Sequence, residues 1–209
     1  GEQGIKQCIL LGPSTGGLVT PRYLTQRAQH QSMIVGMILN SPFFSLPLSL
    51  QAEKWRLPLY KIISRLLSAI SLPAHSPTIY AQSIHKSFRG EWDYRLDWKP
   101  SQGSPLSFYW LNQIIKQQAA CLEQECSIPT LLCRSSHSSY QGQTIADIQQ
   151  GDGVLDVINM ETKARRIFTD LTVENIDKGF HDLALSSLPV RQDFYKKIQN
   201  WLSKHQNTE

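Results

Sequence analysis

Residues 7–17 read QCILLGPSTGG, a short apolar run followed by a glycine-rich turn that contains a serine. A continuous apolar run of this length is typical of a strand that is buried on both faces of a parallel sheet. Residues 18–29 can form a helix, and residues 33–39 are a second apolar, β-branched run that stops at Asn40-Ser41-Pro42. The order strand, helix, strand predicts a βαβ unit and therefore an α/β fold.

The rest of the chain changes pattern twice. From Phe43 to about Glu125, proline and serine are frequent, whereas the apolar strand pattern resumes after Glu125. Helices are predicted by apolar residues at helical spacing in three places: between Pro58 and Leu72, over about 106–124, and from about Pro189 to Lys204. Further strands are predicted at Ile128–Cys133 and Leu171–Ile176, with a polar loop over 134–150 and a short apolar segment at 154–157 between them.

Composition excludes several functional classes. The chain has 209 residues, 41% of them hydrophobic, which is enough for one domain with a sizeable core. Its net charge is only +4, and its 21 Lys and Arg residues are interspersed with acidic ones, so we do not expect a nucleic-acid partner. Four cysteines without a CxxC pair predict reduced, buried thiols. The N-terminus shows no leader pattern and no apolar run approaches the roughly 20 residues that span a bilayer, so we expect a cytoplasmic protein without an integral membrane segment.

The turn Gly12-Pro13-Ser14-Thr15-Gly16 is a G-x-S-x-G sequence between a predicted strand and a predicted helix. A serine on such a strained turn needs flanking glycines, because bulkier side chains would collide there. Its Oγ would then be exposed as a nucleophile, and the backbone N–H of Thr15 would face a developing oxyanion at the helix N-terminus. A phosphate-binding loop would need Gly-Lys-Ser/Thr, and a dinucleotide fingerprint would need G-x-G-x-x-G, and the turn has neither.

A nucleophilic serine needs a histidine base and an acid that orients it, in the chain order Ser, acid, His for this fold. His181 is the favoured base because it lies after the last predicted strand and before the final helix, and His137 is the alternative. Position alone leaves three carboxylates open as the acid: Asp147, Asp152 and Asp156. Asp182 is poorly placed because it is adjacent to His181. No metal or organic cofactor is needed for this chemistry.

Together these residues resemble a known family. LGPSTGGL (residues 11–18), LNSPFF (39–44), GEWDY (90–94), GDGVLDV (151–157) and GFHDL (179–183) are similar to the monoacylglycerol-lipase and lysophospholipase-like branch of the α/β-hydrolases, whose members are often described as serine aminopeptidase S33-type proteins. The resemblance implies a mostly parallel sheet with flanking helices, Ser14 as nucleophile, Asp152 as the orienting acid and His181 as general acid/base. It also implies a cap over residues 43–125, inserted between core segments 1–42 and 126–209. For GEWDY we expect a structural turn of the cap and no direct catalytic role.

The start of the chain departs from the family pattern. The family places about four strands and a second oxyanion donor before the nucleophile strand, whereas six residues precede Gln7 here. Without those strands the nucleophile strand would lie at a sheet edge, where a missing N-terminal segment or a second copy of the chain could pair with it. Pro13 also stands where the family commonly has histidine or another residue that can donate a backbone N–H.

The sequence therefore predicts a serine hydrolase that cleaves carboxylic esters with an apolar acyl group. The substrate would be a small, lipid-like ester, with a monoacylglycerol or a lysophospholipid as the example that the resemblance suggests. Two alternatives remain open. One is a non-catalytic fragment or interaction module with an exposed sheet edge. The other is an aminopeptidase-like amide hydrolase, since the same triad cleaves amides.

Overall fold

A four-stranded parallel sheet forms the centre of the molecule. The computed structural model describes residues 4, 6–27, 32–46, 71–72, 79–101, 103 and 105–206 of the chain. The strand order in this sheet is β1-β2-β5-β6, with all neighbours parallel. The strand bounds are β1 Cys8–Pro13, β2 Ile34–Asn40, β5 Thr130–Ser135 and β6 Leu171–Ile176. The parallel sheet predicted from the apolar runs is confirmed.

Helices cover both faces of this sheet. Their bounds are α1 Thr15–Gln26, α2 Ile79–Ile84, α3 Phe108–Leu122, α4 Ile145–Ile148, α5 Val157–Ile167 and α6 Leu188–Gln206. Side chains of α1, α3 and α5 pack with Met37, Leu39 and Leu132 on one face. Side chains of α6 pack with Ile38 and Leu131 on the other. The side chains of neighbouring strand residues thus pack on opposite faces of the sheet, as the two-residue repeat of a strand requires.

The register of the strands sets where a site can form. Pro13 pairs with Asn40, and Asn40 in turn pairs with Cys133. The carboxyl ends of the strands therefore lie along one edge of the sheet, and the loops that follow them meet there. In open parallel sheets this edge is where ligands bind.

Most predicted elements agree with the structure, and two do not. Strand β6 has the predicted bounds, while β1, β2 and β5 differ from the predicted bounds by one or two residues at each end. Residues 134–150, predicted as a loop, contain the short helix α4. Helix α5 begins within the segment that was predicted only as an apolar run at 154–157, and no helix was predicted there.

The predicted cap is described only in part. The helix predicted between Pro58 and Leu72 lies outside the described residues, except for Ser71 and Leu72. These two form the short strand β3, which pairs antiparallel with β4, Leu106–Ser107. The division of the chain into core and cap remains a prediction.

The four cysteines are free thiols. Cys121, Cys126 and Cys133 are buried, as predicted, whereas Cys8 is only partly buried. Burial raises the pKa of Cys121 to about 11 and the pKa of Cys133 to about 12, because an apolar surrounding disfavours the charged thiolate. These two thiols are therefore protonated and unreactive at neutral pH.

Among the described residues, no helix is both long and apolar enough to cross a membrane.

An ion pair between the buried Arg134 and the partly buried Glu161 fixes the end of β5. Arg134 Nε donates to Glu161 Oε2 on α5 at 2.9 Å, and Arg134 Nη1 donates to the carbonyl of Ser135 at 2.8 Å. Burial by itself raises the pKa of Glu161, but hydrogen bonds from Arg134 and Arg165 outweigh it and hold this pKa below the ordinary value of 4.5. The pair therefore stabilises the fold only while Glu161 is ionised.

We expect Glu161→Gln to lower the free energy of unfolding at neutral pH by about 1–3 kcal/mol, because it leaves a buried guanidinium without its anion. A depressed carboxyl pKa contributes stability above pH 4.5 that is lost as the pH falls through the lower folded value. The difference between parent and variant should therefore shrink in acid. Urea unfolding across this range measures it, with Glu91→Gln in a more exposed ion pair as the control. A difference that is constant with pH would contradict the prediction.

Candidate active site

Ser14 occupies the sharp turn between β1 and α1. Its backbone has φ 49° and ψ −115°, a left-handed conformation that non-glycine residues rarely adopt. Three hydrogen bonds fix the turn: Ser14 N–H donates to Asn40 O at 2.9 Å, and Gly17 and Phe43 N–H donate to Ser14 O at 3.0 and 2.9 Å. Strain of this kind persists where surrounding structure holds it, and it is concentrated at functional sites.

The glycines beside Ser14 make room for this turn. A Cβ on Gly12 would lie 2.8 Å from the carbonyl oxygen of Gly16, and a Cβ on Gly17 would lie 2.5 Å from Cβ of Pro42. Gly16 is less constrained, because its Cβ would meet only Pro13 Cδ at 3.2 Å. The close approach of α1 to the end of β1 therefore depends on Gly12, and its approach to the loop after β2 depends on Gly17.

The Ser14 hydroxyl faces away from its own helix. Ser14 is at the N-cap of α1, where a serine side chain usually accepts a hydrogen bond from the first turn, yet it makes no such bond. Its Oγ instead lies 2.9 Å from Nε2 of His181. The hydroxyl is thus available to a base 167 residues further along the chain.

His181 lies between Ser14 and Asp152. Its Nδ1 is 3.0 Å from Asp152 Oδ2 and 3.2 Å from Oδ1, and both side chains are buried. A carboxylate can only accept here, so Nδ1 carries the proton and Nε2 accepts the Ser14 hydroxyl proton. The three side chains form one line of hydrogen bonds.

The Asp152 carboxylate is held by its own turn. Its Oδ1 accepts backbone N–H bonds from Val154 and Leu155, each at 2.8 Å. On the other side, Asp152 N–H donates to the carbonyl of His137 at 3.0 Å. The side chain is 0% exposed, so these donors and His181 replace the water that a carboxylate otherwise binds.

The other candidates for the acid and the base have different contacts. His137 Nδ1 lies 3.1 Å from Ser136 Oγ, and the backbone carbonyl of His137 accepts the Asp152 N–H. Asp147 completes a capping box with Thr144, and Asp156 caps α5 by accepting from Ile158 and Asn159. Both are helix-capping carboxylates, a pattern that is readable in the sequence.

Thr15 is the first residue of α1, so its N–H has no intrahelical acceptor. It follows Ser14 directly and lies at the positive end of a 12-residue helix dipole. Negative charge that develops beside Ser14 Oγ would be stabilised there.

Two residues outside the predicted site also contact the His181 loop. Asn40, at the end of β2, and Tyr80, in α2, each hydrogen-bond its backbone. A polar residue that ends a buried strand was the available signal for Asn40, whereas nothing in the sequence distinguished Tyr80.

Comparison with known proteins identifies the family of the chain and finds solved structures with a similar fold. Residues 1–184 match the sequence profile of the family described as serine aminopeptidase, S33. No curated protein sequence matches the chain. Among solved structures, a monoacylglycerol lipase from Paleococcus ferrophilus superposes with a TM-score of 0.65 at 16% identity, covering 98% of this chain and 71% of that one.

A soluble variant of monoglyceride lipase from Saccharomyces cerevisiae superposes with a TM-score of 0.62 at 18% identity. The match covers 94% of this chain and 64% of the yeast enzyme, so the chain spans less than two thirds of that enzyme's length. These similarities confirm the predicted α/β-hydrolase fold, a parallel sheet with flanking helices.

Proposed function

The chain belongs to the serine aminopeptidase S33 family of hydrolases, and from that premise we propose that it cleaves carboxylic esters with an apolar acyl group through an acyl-enzyme on Ser14. The observation that carries this proposal is the line of hydrogen bonds from Ser14 Oγ through His181 to Asp152. A serine hydroxyl, a base that can take its proton and an orienting acid are the parts that nucleophilic ester cleavage requires.

In the first half-reaction, Ser14 Oγ attacks the ester carbonyl carbon while His181 Nε2 takes the hydroxyl proton. The Thr15 N–H donates to the oxyanion of the tetrahedral intermediate. The intermediate collapses when the C–O bond to the alcohol breaks, and His181 gives its proton to the departing alkoxide. Asp152 remains ionised throughout and stabilises the imidazolium at Nδ1.

In the second half-reaction, water replaces the alcohol. His181 takes a proton from this water as its oxygen attacks the acyl carbon, and it returns the proton to Ser14 Oγ when the acyl–enzyme bond breaks. The products are a carboxylic acid and free enzyme. Every proton is carried by His181, so the cycle needs no metal or organic cofactor.

A small lipid-like ester is the substrate class that we favour, with a monoacylglycerol or a lysophospholipid as candidates. The support is indirect: two solved structures of similar fold are monoglyceride lipases. Residues 43–125 would supply the cap, and apolar side chains there would contact the acyl chain. Fold alone does not determine the substrate, so the acyl and alcohol groups must be measured.

A substrate panel tests the reaction type. We expect the purified chain to hydrolyse p-nitrophenyl esters and a monoacylglycerol, with kcat/KM rising as the acyl chain lengthens, because each buried methylene contributes about 0.8 kcal/mol. Aminoacyl p-nitroanilides should be poor substrates. The family description favours amide cleavage as the second candidate. Faster turnover of the anilides would overturn the ester assignment and support that candidate.

A further inference from the structure

The peptide unit that follows His181 is bonded at both of its polar ends. Asn40 Nδ2 donates to the carbonyl oxygen of His181 at 2.9 Å, and the N–H of Asp182 donates to Tyr80 Oη at 3.0 Å. This carbonyl and this N–H belong to the same planar unit. The N–H of the next residue, Leu183, donates to Asn40 Oδ1 at 3.1 Å.

We propose that Asn40 and Tyr80 are positioning residues that clamp this peptide unit and thereby hold the His181 imidazole between Ser14 and Asp152. The inference rests on the proposed function, in which His181 is the base. The hydrogen bonds of both residues go to the backbone of the His181 loop and not to Ser14 Oγ or the imidazole nitrogens. Because the bonded peptide unit contains the Cα atom of His181, these bonds limit where the imidazole can lie.

Asn40 joins the nucleophile turn to the loop of the base. It is the last residue of β2, lies in register with Pro13 and Cys133, and is 3% exposed. Its own carbonyl accepts the Ser14 N–H at 2.9 Å, while its amide bonds the His181 loop. A carboxamide offers both a donor and an acceptor, and aspartate of the same shape would lack the donor.

Tyr80 holds the loop from the other side. Its ring is edge-on to the imidazole, with centroids 6.0 Å apart and planes at 80°. Its Cδ2 lies 3.2 Å from where a Cβ on Gly153 would stand, next to Asp152. Burial raises the pKa of the Tyr80 hydroxyl far above its ordinary value, so it stays protonated, and its oxygen accepts from Asp182.

The GEWDY stretch supports the helix that carries Tyr80. Trp92 N–H donates to Ile84 O at 3.0 Å, and Trp92 Nε1 donates to Leu185 O at 2.8 Å. A Cβ on Gly90 would lie only 1.9 Å from the backbone of Ile84, so only glycine fits there. Residues 90–92 therefore join α2 to the loop of the base.

Kinetics of two isosteric variants and their combination test the clamp. We expect Tyr80→Phe to lower kcat about 10-fold and Asn40→Asp to lower it about 100-fold, with KM within about 2-fold, since small displacements of a catalytic group cost rate. The double variant should resemble Asn40→Asp alone, because both changes release the same peptide unit. Tyr195→Phe, at an exposed tyrosine of α6, is the matched control and should retain the parent kcat.

Proton NMR needs no turnover, so it tests the clamp independently of the proposed function. The Nδ1 proton of His181, bonded to Asp152, should give a low-field proton NMR signal in the parent and in Tyr195→Phe. We expect the signal to broaden or vanish in Tyr80→Phe, which keeps the clamp testable even where Asn40→Asp fails to fold. A parent that shows the signal but cleaves no ester would refute the function and leave the clamp standing.

Two results would overturn the clamp. One is a pair of folded variants that melt at lower temperature but keep the parent kcat and the NMR signal, which is the behaviour of merely structural residues. The other is a double variant whose loss in kcat equals the product of the single losses, about 1,000-fold, because independent effects multiply.

Discussion

Replacing either Ser14 or His181 with alanine is expected to lower kcat for ester hydrolysis by about 10⁶-fold. Without Ser14 Oγ no acyl-enzyme can form, and without His181 Nε2, 2.9 Å away, the hydroxyl keeps its proton at neutral pH. The two residues act as a unit, so the double variant should be no slower than either single variant. Initial rates on a p-nitrophenyl ester measure all three.

His137→Ala is the matched control for the loss of a histidine. Its imidazole contacts Ser136, and its backbone carbonyl, which the variant retains, accepts the Asp152 N–H. We expect this variant to keep kcat within about 3-fold, in line with the small effects of substitutions away from a site. Equal losses of kcat in the His137 and His181 variants would contradict the assignment of His181 as the base.

Asp152→Asn is expected to lower kcat by about 10⁴-fold while the protein remains folded. The amide oxygen can still accept the N–H bonds of Val154 and Leu155, so the turn should persist. The amide nitrogen, however, would then face His181 and favour the imidazole tautomer with the proton on Nε2. That tautomer cannot accept the proton of Ser14.

Asp156→Asn separates this effect from the general loss of a carboxylate. Asp156 caps α5, and asparagine caps helices about as well as aspartate, so both kcat and the melting temperature should change little. Circular dichroism melts would verify that both variants are folded. An Asp152→Asn variant that keeps most of the parent kcat would remove Asp152 from the proposed triad and reopen the choice of acid.

The sheet could be predicted from the sequence because its strands β2 and β5 are almost wholly buried. Such strands consist of near-continuous apolar runs. Strand β6, Leu171–Ile176, is less buried, yet it was predicted with the bounds that the structure has. Helix α5 was missed because only Val157, Met160, Ala164 and Ile167 of its 11 residues are buried. The charged residues between them made the helical spacing of these four residues hard to recognise. Asp156 was nevertheless recognisable in the sequence as a residue that favours the N-cap of a helix.

The candidate site was only partly predictable. Ser14 could be selected because its requirements are local: two glycines, a strand before it and a helix after it. His181 followed from chain order, whereas Asp152 depended on a family resemblance, because three carboxylates fitted the position. Asn40 and Tyr80 bond the His181 loop across 141 and 102 residues of sequence. The position of a polar residue at the end of a buried strand was a signal for Asn40, whereas no local pattern indicated Tyr80.

Covalent labelling by a fluorophosphonate probe is the most direct test of an activated serine. The probe reacts with a serine whose hydroxyl a neighbouring base can deprotonate, so it reports on Ser14 and His181 without assuming a substrate. We predict stoichiometric labelling of the parent chain at Ser14 and none of Ser14→Ala. A folded parent chain that stays unlabelled would contradict the proposed hydrolase function. It would favour the alternative of a non-catalytic module that pairs with another chain through β1.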